Sequence, residues 1–174
     1  PLIKEGKYKN GKWLLPKKYA GLVLEKFEPP HVEIGNIRAT LRPYQEQGVR
    51  WLNFLYDSQF TGALLADDMG LGKTVQTLSF LTRIQGPILI IVPTSLLFNW
   101  QREISRFCPD MKVSIYHGNE RDSNFKNGVI LTTYGLIRND LPHFQKIAFD
   151  TIILEEAQLI KNRSSDTYQA VSSL

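Results

Sequence analysis

From Gly62 onward, short runs of consecutive apolar residues alternate with amphipathic stretches, and this rhythm leaves few folds open. The runs at 62–66, 87–92, 112–117, 129–133 and 151–154 have the length of strands, whereas 73–84, 95–107 and a shorter stretch from Gly135 carry apolar residues at helical spacing. Strands apolar on both sides of the backbone must be covered on both faces, which is the condition of a parallel sheet between helices. The sequence therefore predicts an α/β fold with a mostly parallel, doubly wound sheet flanked by helices. Ahead of it, Tyr44, Gly48, Trp51, Leu52 and Leu55 recur at helical spacing from Pro43 to about Asp57-Ser58, predicting a first helix.

A chain of 174 residues holds one core and a short appendage. The appendage is basic: residues 1–18 carry six lysines against the single acidic residue Glu5, so the whole net charge of +4 resides there and says nothing about what the core binds. Asn10-Gly11 is the residue pair of a tight hairpin turn, which pairs Lys9 with Lys12 and sets Tyr8 opposite Trp13. Such a lysine-rich ribbon with two aromatics fits a contact with a phosphate backbone, and fits better a protected edge docked on its own domain. Pro29, Pro30 and Gly35 mark a linker, so the expected division is a basic N-terminal extension and linker at 1–40 and a core at 41–174. The longest apolar run, 86–97, is broken by Pro93 and Thr94 and falls short of the roughly 20 residues needed to cross a bilayer. A soluble chain with no membrane partner is expected. The start has no signal-peptide pattern and Cys108 is alone, which fits a reducing, intracellular setting; His31, His117 and His143 are too scattered for a metal centre.

Between the first core strand and its helix stands Ala66-Asp67-Asp68-Met69-Gly70-Leu71-Gly72-Lys73-Thr74. A phosphate chain carries dense negative charge, so a loop that wraps it needs glycines that let backbone N–H groups approach and a helix N-terminus to complement the charge. It also needs a lysine for the β- and γ-phosphates and a hydroxyl for Mg2+. Gly70, Gly72, Lys73 and Thr74 supply these parts in order. The general pattern G-x-x-x-x-G-K-S/T would have its first glycine at position 67, where this chain has Asp67. The place of the string, between a buried strand and an amphipathic helix, is what marks it as a phosphate loop.

This string resembles motif I of the Swi/Snf-type ATPases, superfamily-two helicase-like motors in which an alanine-led loop replaces that first glycine. Upstream, Leu41-Arg42-Pro43-Tyr44-Gln45-Glu46-Gln47-Gly48-Val49-Arg50-Trp51-Leu52 is similar to the family's adenine-recognition segment, which implies that Gln45 reads the base edge. An amide suits that role because it donates and accepts at once. Downstream, Ile91-Val92-Pro93-Thr94-Ser95-Leu96-Leu97-Phe98-Asn99-Trp100 resembles motif Ia and Leu131-Thr132-Thr133-Tyr134-Gly135 resembles motif Ib. Both end predicted strands, at the edge of an open α/β sheet where ligands bind. The resemblance implies that Pro93, Thr94, Ser95, Thr132 and Thr133 touch the backbone of one DNA strand without reading sequence. Thr94 or Ser95 also qualifies as a helix cap. Trp100 shares its helical spacing with Leu97, Ile104 and Phe107 and is expected in the core. Tyr116-His117-Gly118 and Arg121 resemble a further family segment and are given no catalytic role.

The strand at 151–154 ends in Glu155-Glu156-Ala157-Gln158. With a phosphate loop upstream, two adjacent acids read as the pair that ATP hydrolysis requires: Glu155 for Mg2+ and its water shell, Glu156 to orient the attacking water. The family has Asp at the first of these positions, so Glu155 departs from it by one methylene, about 1.5 Å. A tolerated variant, a motor with weakened hydrolysis and an altered sequence all fit that departure. Gln158 resembles the ending of bacterial and archaeal members, implying a prokaryotic, nucleoid-associated cytoplasmic protein; a eukaryotic one would be nuclear.

The resemblance thus implies that 41–174 is the first RecA-like lobe, a P-loop domain, of a motor that couples ATP hydrolysis to translocation on double-stranded DNA or to remodelling of protein–DNA complexes. ATP and Mg2+ are the cofactors. Gln45, Asp67, Asp68, Met69, Gly70, Leu71, Gly72, Lys73 and Thr74 hold the nucleotide, Thr74 and Glu155 the metal, and Lys73 and Glu156 are catalytic. The family's second RecA-like lobe, with arginines that act on the γ-phosphate, is absent from these residues, so this chain alone is expected to be nearly inactive. The alternative reading is a nucleotide-dependent module that clamps on DNA, on RNA polymerase or on another DNA-bound protein.

Overall fold

The computed structural model describes residues 7–9, 12–14, 34–118 and 128–174. Strands β1 (Lys7–Lys9) and β2 (Lys12–Leu14) pair antiparallel in the expected register, Tyr8 opposite Trp13 and Lys9 opposite Lys12. The Asn10-Gly11 turn, most of the expected linker and Arg121 lie outside the described residues. The core forms two compact units, Thr40–Phe80 and, together with Gly35–Ala39, Leu81–Leu174.

In the first unit, helix α1 (Pro43–Asp57) begins where proline is tolerated, at the first helical position, after an extended Arg42. The Gln45 side chain closes this turn by accepting the Arg42 N–H at 2.9 Å. Helix α2 (Lys73–Leu81) ends three residues before the expected 84, in a tight turn in which the Ile84 N–H donates to the Leu81 carbonyl; Gly86-Pro87 follow, and proline cannot continue a helix. The two helices approach closely at Gly48, where a Cβ would collide with Gln76 Oε1, and again where the Tyr56 and Phe80 rings meet edge to face at 5.8 Å. The segment 62–66 is irregular rather than the expected first core strand, with Leu64 58% exposed. A strand persists only where a neighbour completes its hydrogen bonds, and the sheet does not include this segment.

The second unit is built on a four-stranded parallel sheet of order β4-β5-β3-β6, comprising β3 (Ile88–Val92), β4 (Val113–Ile115), β5 (Val129–Thr133) and β6 (Thr151–Leu154). The central strands β3 and β5 are buried at every residue, as their unbroken apolar sequence requires, and the outer strands are half-buried or exposed. A 3-10 turn (Thr94–Leu96) leads into α3 (Leu97–Phe107), whose Leu97, Trp100 and Ile104 are buried as their spacing predicts. After β5 come α4 (Tyr134–Asn139) and α5 (Leu141–Phe144). The chain closes with α6 (Asp166–Ser172), whose cap residue Ser165 accepts the Tyr168 N–H on its hydroxyl. Ile137, Phe144 and Ala170 from these helices join Leu89, Ile91, Ile130 and Tyr116 in one buried cluster. Tyr116 packs edge to face on Phe144 and donates its hydroxyl to Asp140 Oδ2 at 3.1 Å.

Because all four strands run the same way, their C-terminal ends fall on one edge. Val92 lies opposite Thr133, and Ile91 opposite both Thr132 and Leu154. The residues that follow β3, β5 and β6 are therefore delivered side by side. Among the described residues no helix is long and apolar enough to cross a membrane.

Candidate functional site

The phosphate-loop sequence turns through Gly70 and Gly72, both in the left-handed region at φ +82° and +77°, and enters α2 at Lys73. Nothing lies within 4 Å of where a Gly70 Cβ would be, whereas a Gly72 Cβ would collide with Gln45 Nε2. The Leu71 carbonyl between them accepts hydrogen bonds from Gln45 Nε2 at 3.0 Å and the Tyr44 hydroxyl at 3.3 Å, so the first turn of α1 fastens the loop from outside. From inside, the Lys73 ammonium donates to the carbonyls of Asp67 and Asp68 at 2.7 and 3.0 Å, and the buried Gln76 amide donates to Asp67 Oδ2 at 3.3 Å. Met69 stands at the tip, 94% exposed, and Thr74 is half-buried in the first turn of α2.

This geometry changes the reading of Gln45. The sequence assigned it to a base edge, but its buried amide is engaged at both ends, the oxygen on Arg42 N–H and the nitrogen on Leu71 O. In this structure Gln45 links helix to loop. Tyr44 and Gln76 are loop-holding residues that the sequence did not single out; the only signal was a polar Gln76 on the α2 face that also carries Ser79 and Phe80.

At the C-terminal edge of the sheet, Pro93 caps the 3-10 turn and Thr94 and Ser95 are exposed, neither supplying a side-chain cap. Thr132 and Thr133, which the resemblance assigned to a DNA backbone, are not open to one here. Both are buried, and the Thr132 hydroxyl donates to the Tyr116 carbonyl at 3.0 Å, because β5 is an interior strand. Phe98, 60% exposed, meets the His117 ring edge on at 6.2 Å.

The two acids follow β6 on the same edge. The Glu155 N–H donates to the Ile91 carbonyl at 2.9 Å, and its carbonyl accepts the Tyr134 hydroxyl at 2.7 Å. Glu156 then adopts the left-handed conformation, φ 54° and ψ 48°, which a residue with a Cβ holds only when its surroundings impose it. Its carbonyl accepts the Leu159 N–H at 2.9 Å and its carboxylate accepts from Gln158 Nε2. Burial, and then the charges of Glu155 and Glu156, push the Tyr134 hydroxyl well above its ordinary range, so it stays a proton donor.

Fold and site together define the class: an α/β lobe with a parallel sheet, a glycine-turned phosphate-loop sequence at a helix head, and acids at a strand end. Residues 44–174 match the SNF2-related domain, and the chain belongs to that family. YwqA of Bacillus subtilis, described as a candidate ATP-dependent helicase/translocase, is 42% identical over 159 residues, covering 84% of this chain and 17% of that protein. The chromatin-remodeling ATPase INO80 of Debaryomyces hansenii is 41% identical over 159 residues, covering 79% of this chain and 12% of that one. The SWI2/SNF2 ATPase core of Sulfolobus solfataricus in complex with double-stranded DNA superposes with a TM-score of 0.75 at 38% identity, over 82% of this chain and 31% of that one. The chain thus spans under a fifth of the curated relatives it matches.

Proposed function

We propose that the chain, from 41 onward, is the nucleotide-binding first lobe of an SNF2-type motor that couples ATP hydrolysis to translocation on double-stranded DNA or to remodelling of protein–DNA complexes. The observation that carries this reading is the phosphate loop. Its donor set fits a Mg2+-bound triphosphate: N–H groups at the head of α2 with no partner inside the helix, the positive end of that helix, the Lys73 ammonium and the Thr74 hydroxyl.

In this reading residues 67–74 cradle the phosphates while Gln45 holds the loop in shape. Thr74, in the first unit, would offer an oxygen to Mg2+; Glu155 and Glu156, in the second, would carry the roles toward the metal's waters and the attacking water that the family resemblance implies. Bound Mg2+ would offset charge on the β- and γ-phosphates. The DNA backbone falls to Pro93, Thr94 and Ser95, a role supported by the exposure of Thr94 and Ser95 at the sheet edge and by the double-stranded DNA held by the Sulfolobus core. A second lobe supplies the arginines of the transition state, worth about 10³–10⁵ in rate, so this lobe alone binds ATP and barely hydrolyses it.

The test is phosphate release with and without duplex DNA, measured on a protein that joins this lobe to its second lobe. DNA-stimulated release that disappears in Glu156→Gln is the expected result. Release undiminished in that variant would remove Glu156 from its role and the motor reading with it.

A further inference from the structure

Tyr134 occupies an unusual position for a residue that opens a helix. It follows directly on Thr133 at the end of β5, its side chain is 7% exposed, and it reaches across the C-terminal edge of the sheet to the residue after β6. There its hydroxyl takes up the Glu155 carbonyl at 2.7 Å, the last backbone acceptor before the chain reverses into the left-handed Glu156. The Glu155 N–H is already fixed on the Ile91 carbonyl of β3. Glu155 is thus pinned through the peptide groups on both sides of it, to β3 through its N–H and to α4 through its carbonyl. Without the second pin, Glu156 at φ 54° is held only from the turn that follows it, by the Leu159 N–H on its carbonyl and Gln158 on its carboxylate, and that turn is free to relax with it toward an extended or right-handed conformation. That relaxation would swing the Glu156 carboxylate away.

From this we infer that Tyr134 is a positioning residue for hydrolysis: its hydroxyl holds the Glu155-Glu156 turn in the conformation that aims the carboxylates. The inference rests on the proposed roles of those two acids. It assigns work to a residue otherwise notable only as part of the Thr-Thr-Tyr string, and it makes the end of β5 a determinant of the geometry after β6. Outer partners that orient the ligands of a metal are worth about 10–100-fold in metal affinity or activity when removed, and Glu155 has that place in the proposed function.

The experiment compares Tyr134→Phe and Glu156→Gln in the two-lobe protein, reading kcat, KM for ATP and the melting temperature. Phenylalanine keeps the ring that fills the core and deletes only the hydroxyl. The expected result is a kcat lowered about 10–100-fold with KM for ATP and melting temperature close to wild type, while Glu156→Gln is inactive. As a second measurement, hydrogen exchange of the Leu159 amide, which donates to the Glu156 carbonyl, is expected to accelerate in Tyr134→Phe. A wild-type kcat in Tyr134→Phe beside an inactive Glu156→Gln would overturn the inference and leave the motor reading intact. So would a parallel fall in melting temperature, kcat and ATP affinity, which would make the hydroxyl merely structural. Full activity in Glu156→Gln would remove both.

Discussion

Replacing Gly70 and Gly72 by alanine, one at a time, tests how the phosphate loop is held. The two sit at nearly the same φ, +82° and +77°, so the backbone cost of adding a Cβ is the same for both, about 1–2 kcal/mol. Their surroundings differ. A Cβ at 70 meets nothing within 4 Å, and Gly70→Ala is expected to lose that amount and no more. A Cβ at 72 collides with Gln45 Nε2 and comes within 3.1 Å of Val75 Cγ1, so both side chains must shift to admit it. Overpacking of this kind costs about 1–3 kcal/mol, and displacing Gln45 from the Leu71 carbonyl forfeits about 1 kcal/mol more. Gly72→Ala is therefore expected to lose about 3–6 kcal/mol in all. Urea unfolding of the chain, followed by tryptophan fluorescence, measures both. Adding Gln45→Ala to Gly72→Ala removes the obstacle, so the double variant is expected to be more stable than the sum of the two single losses by about 1 kcal/mol or more. Equal losses at the two glycines, or strict additivity between positions 45 and 72, would refute this account of the loop.

Two further outcomes follow from burial. Leu131, fully buried between Ile90 and Ile115, is expected to lose about 2–5 kcal/mol on replacement by alanine, while Leu64→Ala, in the irregular segment, is expected to change stability by about 0.5 kcal/mol or less in the same urea assay; a large loss at Leu64 would restore the strand that the sequence predicted there. Burial pushes the Cys108 thiol from 9.0 up to about 11, so the folded chain keeps a proton that the unfolded chain releases; this contribution is complete below pH 9 and is lost as pH rises toward 11. Unfolding midpoints of the chain and of Cys108→Ser are expected to converge over that interval, and a difference that stays constant with pH would contradict the assignment.

Much of the architecture was legible because it depends on unbroken apolar runs. The bounds of β5 and β6 and the start of α1 follow the sequence to the residue, since an interior strand and a proline-led helix leave little choice. Segment 62–66 is likewise an apolar run, but none of the described strands pairs with it, and apolarity alone does not report that. The short helices α5 and α6 were missed because a turn or two of helix presents too few apolar positions to establish a period. At the site, the loop glycines and the acid pair were readable as chemistry in order along the chain. The burial of Thr132 and Thr133 and the reach of Tyr134 depend on which strand neighbours which, a property of the sheet rather than of any local string, and the engagement of Gln45 depends on how the first turn of α1 meets the loop.

The parallel register of the sheet also sets an order of events during synthesis. Ile88 of β3 pairs with Val129 and with Thr151, about 40 and 60 residues further along, so neither ladder of β3 closes until long stretches of polypeptide have left the ribosome. The glycine loop is made early and the acids arrive behind the last strand to dock. A nascent chain halted before Thr151 therefore exposes one side of β3 as an unfilled hydrogen-bonding edge, the kind of surface that chaperones and stray strands recognise.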